Sequence, residues 1–172
     1  KRFKSNNPKQ FTNYINKPLF MHSVDKALKS KLFKSIIIVS NRPIKTIRNK
    51  SIKVIKGGNE RYQSSHKALD FIKNKKFKNV FIHDAARPNF SLKLLKKLNF
   101  NLKDNKAVVP YVTTDNSTKY KVKNKIQNLD REYLLFTQTP QCFDFKTLYN
   151  LSKSNNLKIT DEVSLFLNKN KK

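Results

Sequence analysis

The sequence predicts an α/β fold built on a mostly parallel, doubly wound sheet, with an exposed β-ribbon protruding from it. Two observations carry this reading. Short β-branched apolar runs alternate with amphipathic stretches of roughly 10 to 12 residues, the pattern of strands joined by crossover helices. In addition, the polar stretches GGNER and DAARP directly follow such runs, where α/β sheets place their ligands.

The elements follow in chain order. Residues 19–30 (LFMHSVDKALKS) have helical apolar spacing, and 35–40 (SIIIVS) form a buried β-branched strand. Residues 51–56 (SIKVIK) give a second strand that ends at Gly57-Gly58, the only glycines in the chain. Residues 64–74 read as a helix, 79–83 (NVFIH) as a strand, 92–102 as a helix and 107–112 (AVVPYV) as a strand. Residues 119–127 alternate polar and apolar side chains, as an exposed ribbon does. Residues 145–154 and 162–168 are helical in pattern. The chain meets a loop and a helix before its first strand, whereas a doubly wound domain ordinarily starts on a strand.

Composition bounds the function. The 172 residues suffice for one domain with a real core. No apolar run approaches the roughly 20 residues of a membrane span, and residues 1–20 lack the apolar region of a secretory signal. A single cysteine, Cys142, excludes an internal disulfide and a cysteine metal cluster; it points to a reducing, cytoplasmic setting. The net charge of +27 normally suggests nucleic acid. Here lysine supplies nearly all of it along the whole chain, and most aromatics sit in core-like runs, so the charge reads as solvated surface. The arginines become informative instead. They stand only at 2, 42, 48, 61, 87 and 131, and a planar guanidinium binds phosphate in a way lysine does not.

Four stretches bear chemistry. In GGNERYQSSHKAL (57–69), two glycines let backbone approach a ligand, and Ser64 or Ser65 suits the cap of the next helix, where free N–H groups attract an anion. The same residues also make an ordinary strand-to-helix turn. In HDAARP (83–88), Asp84 ends a strand, Ala85 and Ala86 leave room, and Arg87 suits a phosphate. Asp84 can hold Mg²⁺ between phosphates, or simply pair with Arg87 to fix the loop. In 129–143, Thr137, Gln138, Thr139 and Gln141 crowd around Pro140 as a polar turn between strand and helix. Thr160 precedes Asp161 and Glu162, a good helix start.

Together these pieces resemble the 2-C-methyl-D-erythritol 4-phosphate cytidylyltransferase family. The resemblance is carried in order by RF…NPKQF (2–11), GGNER…S (57–64), HDAARP (83–88), NSTK (116–119), DR (130–131), QTPQCF (138–143) and TDEVSL (160–165). It implies a Rossmann-like sheet of the nucleotidyltransferase type and a single domain over 1–172 that lacks the family's N-terminal strand with its glycine-rich loop and its C-terminal part. It also implies a β-arm at about 113–137.

The implied activity is transfer of CMP from CTP to a sugar-alcohol phosphate with Mg²⁺, releasing pyrophosphate. The implied catalytic residues are Arg2, Lys9 and Arg131. CTP would be bound by Arg2, Lys9, Gly57, Gly58, Asn59, Ser64 and Ala85. The polyol phosphate would meet Asp84, Arg87, Ser117, Arg131, Thr139 and Thr160, and Asp84 would serve the metal. The family's arm implies a homodimer that places Arg131 and Thr139 in a partner's active site. Asn59 stands where the family usually has aspartate. The alternatives are a ribitol 5-phosphate cytidylyltransferase, a bifunctional parent with a cyclodiphosphate synthase domain and, from another class, a basic nucleic-acid-binding protein.

Overall fold

The computed structural model describes residues 7–44, 47–153 and 159–169. After a 3₁₀ turn at Lys9–Phe11, two short strands, β1 (Asn13–Tyr14) and β2 (Lys17–Pro18), form an antiparallel corner leading into helix α1 (Leu19–Ser30). Lys31 ends α1 in the left-handed conformation at φ 58°. Strands β3 (Ile36–Val39) and β4 (Ile52–Ile55) form a parallel ladder, with Ile36 opposite Ile52 and Val39 opposite Ile55. Helix α2 (Arg61–Ile72), strand β5 (Asn79–Ile82) and helix α3 (Leu92–Asn101) follow.

The predicted strand at 107–112 is split by Pro110 into β6 (Ala107–Val108) and β7 (Tyr111–Val112), because proline has no N–H for the ladder. The ribbon is a hairpin of β8 (Thr118–Val122) and β9 (Lys125–Leu129), turning at Lys123 with φ 53°. The chain then returns through β10 (Phe136–Thr137), which pairs antiparallel with β7, to β11 (Gln141–Asp144), α4 (Phe145–Lys153) and α5 (Val163–Lys169).

The α/β class is as predicted, with one reversal. Strand β11 lies between β5 and β6 and runs antiparallel to both. Strands β5 and β6 therefore share a direction, and β3–β4 is the one directly parallel ladder among the described residues. The reason is connectivity. A parallel neighbour needs a crossover, but the chain reaches β11 by doubling back from β7 to β10 around the arm.

Helices cover both faces of the β5–β11–β6 sheet and of the β3–β4 pair, and the alternation of side chains shows it. Phe143 packs with Leu69, Ile72, Leu148 and Leu165 of α2, α4 and α5; its neighbour Cys142 points the other way, to Leu98 and Leu102 at α3. Strand β5 divides likewise, Val80 and Ile82 on one face and Phe81 on the other. Ile37 of β3 joins the first cluster, while Ile36 and Ile38 pack under α1 with Phe20, Val24 and Ile52. This two-sided burial explains why the strands read as continuous apolar runs. Cys142 is fully buried, and burial pushes its thiol up to about 12, so it behaves as a small apolar side chain.

Candidate active site

The ends of β3, β4 and β5 open onto one cleft of about 310 Å³. Its lining includes Pro8 and Gln10 on either side of Lys9, Asn41, Gly57, Ser64 and Ala85. The Lys9 turn is held by Phe11 N–H bonding to Pro8 O at 2.9 Å and by an edge-to-face contact of Phe11 with Phe20 of α1. Lys9 itself is exposed. Arg2 lies outside the described residues.

The Gly57-Gly58 turn is tightly packed. A β-carbon on Gly58 would come within 2.3 Å of Gln63 Cβ, so only glycine fits. Ser64 does not cap α2 as expected. Glu60 is the N-cap, and Gln63 Oε1 accepts from the N–H groups of Asn59 and Glu60 at 2.8 and 3.1 Å. Ser64 sits one turn inside and accepts from Gly58 N–H at 3.0 Å, which ties the helix to the glycine turn. Asn41, just after β3, donates to Gly58 O at 3.0 Å from the other side.

A charged cluster adjoins this turn. Asp84 receives Arg61 Nε at 3.2 Å on Oδ1 and Arg87 Nε at 3.3 Å on Oδ2, so the Asp84–Arg87 loop pair read from the sequence is present. Arg61 reaches further, to Glu162 Oε2 at 2.7 Å, where Glu162 is only 2% exposed. Burial works against the Arg61 charge, but Glu162 and Asp84 more than offset it and the guanidinium pKa is raised. From α1, Ser23 meets His83 at 3.1 Å and Lys26 donates to Pro88 O and Phe90 O, bracing the HDAARP segment at both ends.

The QTPQ stretch comes to the same place. Asp84 N–H donates to Thr139 Oγ1 at 3.3 Å, and Arg87 donates to Gln138 Oε1 at 3.3 Å. Thr139 thus stands beside Asp84 of its own chain, because β11 pairs with β5, which ends two residues before Asp84. Gln141 is buried and donates to Asp161 Oδ2 at 3.1 Å. Asp161, not Thr160, caps α5, accepting from Ser164 N–H; Thr160 is exposed beside it.

Arg131 and Ser117 belong to the base of the arm. Arg131 donates to Asp115 O, and Lys119 donates to Ser117 Oγ at 2.6 Å. Neither is bonded to the Asp84 cluster among the described residues. Two residues that the motifs did not assign stand at the cleft. Arg42 lines it and bonds to Asn7 Oδ1 at 3.3 Å, and Asn41 clamps the glycine turn. Their signal in the sequence was position alone, directly after a strand.

The family model described as 2-C-methyl-D-erythritol 4-phosphate cytidylyltransferase (IspD) matches residues 1–169. The chain belongs to this family. It is 47% identical to a bifunctional IspD/IspF enzyme of Pelagibacter ubique, covering 100% of this chain and 47% of that protein. It is 36% identical to the 2-C-methyl-D-erythritol 4-phosphate cytidylyltransferase of Thermosipho melanesiensis, covering 96% of this chain and 78% of the relative. The chain therefore spans about half of the bifunctional relative and most of the other. In structure it is similar to the Francisella tularensis enzyme of the same name, with a TM-score of 0.84 at 29% identity over 96% of this chain and 81% of that one.

Proposed function

We propose that this chain is the cytidylyltransferase part of an enzyme that transfers CMP from CTP to 2-C-methyl-D-erythritol 4-phosphate. The observation that carries the reading is the single cleft where the Lys9 turn, Gly57, Ser64 and Ala85 meet, with Asp84 and Arg87 directly beyond Ala85.

In this reading a phosphate oxygen of the polyol phosphate attacks the α-phosphorus of CTP. The bond from that phosphorus to the bridging oxygen breaks, and pyrophosphate leaves with the electron pair. The attacking oxygen is already anionic, so no base is required. The task is to gather and neutralise negative charge, which is electrostatic preorganisation. Lys9, together with Arg2, serves the triphosphate. Gly57, Gly58, Asn59 and Ser64 receive the nucleoside, where the glycine turn allows close approach of backbone. Arg87 is exposed and held by one contact each to Asp84 and Gln138, so it can exchange them for substrate phosphate. Asp84, Ser117, Thr139, Thr160 and Arg131 serve the polyol phosphate.

Magnesium fits the donor chemistry. No group of three or more metal-ligating side chains occurs among the described residues, and Mg²⁺ typically takes one or two carboxylates with the rest from phosphates and water. Asp84 would hold it, and the ion would offset triphosphate charge.

A homodimer through the arm is part of the proposal. Ile126 is 71% exposed and Tyr133 82% exposed, and Val122 and Leu135 are also uncovered, an apolar surface in need of a partner. No described helix is long and apolar enough to cross a membrane, and we place the reaction in the cytoplasm. The test is pyrophosphate release by the full-length protein with CTP and each polyol phosphate. Turnover with 2-C-methyl-D-erythritol 4-phosphate is expected; turnover with ribitol 5-phosphate alone overturns the substrate, and indifference to CTP overturns the activity.

A further inference from the structure

Arg61 joins three segments that are far apart in sequence: the first turn of α2, the end of β5 and the start of α5. It does so with two different nitrogens of one guanidinium, Nε on Asp84 and an Nη on Glu162. We infer that Arg61 is a positioning residue of this site, fixing the Asp84 carboxylate, and that Glu162 in turn fixes Arg61. The role given to Asp84 rests on the cytidylyltransferase reading; the geometry does not.

Three features favour positioning over a simple tie between helices. Glu162 is almost completely buried, and its Oε1 has no hydrogen-bond partner among the described residues. Its only ion pair among them is with Arg61, so the buried charge depends on that contact. A guanidinium is planar, and once Glu162 sets one edge the direction of the Nε–H bond is set too. Asp84 is thereby held on Oδ1, while Oδ2 faces the exposed Arg87. One arginine is anchored and the other is exchangeable. Substrate can then displace Arg87 while the carboxylate keeps its orientation. A lysine at 61 cannot reproduce this, since a single ammonium does not present two nitrogens at a fixed angle.

The experiment uses the full-length protein and four variants: Arg61→Met, Arg61→Lys, Glu162→Gln and the double variant Arg61→Met/Glu162→Leu. Arg61→Met leaves Glu162 buried and unpaired and is expected to lower the melting temperature. The double variant removes both charges and is expected to regain that loss. Its kcat is nevertheless expected to stay about 10–100-fold down, with KM for the polyol phosphate raised and KM for CTP within about threefold of wild type. Arg61→Lys recovers a minor part of kcat, and Glu162→Gln falls between. Loss of folded protein alone would reduce the rate and leave both KM values unmoved. A double variant that regains both stability and turnover shows the pair to be structural and overturns the inference. A crystal structure of the double variant gives a reading independent of substrate. Asp84 is expected to turn away from its wild-type position, and an unmoved carboxylate overturns positioning whatever reaction the enzyme performs. Wild-type turnover with CTP, measured alongside, tests the proposed function separately.

Discussion

The Asp84 amide donates to Thr139 Oγ1 at 3.3 Å across 55 residues of sequence. The contact ties QTPQ to HDAARP within one chain, whereas among the described residues Arg131, eight positions earlier, bonds to the base of the arm. The two residues therefore separate in a subunit-mixing experiment. Inactive Asp84→Ala protein mixed with Arg131→Ala protein is expected to regain activity if Arg131 serves the neighbouring subunit, since one site of each mixed dimer is whole. Asp84→Ala mixed with Thr139→Val is expected to stay inactive, because the two residues are bonded to each other within one chain. Recovery in the second mixture would show Thr139 acting across the dimer.

Lys9 lies in a turn whose flanking residues line the cleft, and the side chain itself is exposed. An exposed cation adds little to ground-state binding but can meet charge that develops during phosphoryl transfer. Lys9→Ala in the full-length protein is expected to lower kcat roughly 100-fold while the Kd for CTP changes about threefold or less. Steady-state rates together with calorimetric titration of CTP check this; near-normal kcat sinks the assignment.

The local elements were legible because local residues determine them. Helix α1 begins and ends at the predicted residues 19 and 30, and β3, β4 and β5 fall within their predicted runs. Strand β11 was read as a polar turn because QCFD has little β-branched character; its identity as a strand comes from β5 and β6 on either side. The α2 start was placed three residues late, since Ser64 is the more obvious cap and Glu60 acts only through Gln63. Asp84, Arg87 and Thr139 come together through the pairing of β5 with β11, which motif order alone does not give. The partnership of Arg61 with Glu162 spans 101 residues and leaves no local trace.

The arm's apolar side chains predict its behaviour. Ile126 stands at 71% exposure on β9, where it contributes nothing to the chain's own core. Under the proposed homodimer, Ile126→Lys is expected to shift the protein from dimer to monomer by sedimentation equilibrium, with the melting transition of the monomer little changed. A protein that stays dimeric would place the interface elsewhere.

Leu148 of α4 is fully buried against Leu69, Phe143 and Leu165, the cluster that holds α2 and α5 over the sheet. Leu148→Ala leaves a cavity there and is expected to cost about 2–5 kcal/mol by urea denaturation. Because Glu162 directly precedes α5 and α2 carries Arg61, activity should fall at temperatures below global unfolding.

His83 sets an acid limit on stability. Burial lowers its pKa to about 4, and Arg87 and Lys26 push the same way, while Asp84 and a backbone hydrogen bond at Arg87 oppose them. Its surroundings are Ser23 from α1 at 3.1 Å and the Phe90 ring at 4.7 Å, so no neighbour besides Asp84 offers negative charge to an imidazolium. The folded state therefore holds a neutral ring that the unfolded chain protonates near its ordinary 6.5. The unfolded state binds more protons between pH 6.5 and about 4, so this contribution to stability is complete above 6.5 and is lost as pH falls through that window. His83→Gln, which keeps a polar group near Ser23 but cannot take the charge, is expected to flatten the decline in urea midpoint over that range. An unchanged slope in the variant would assign the acid sensitivity to other groups.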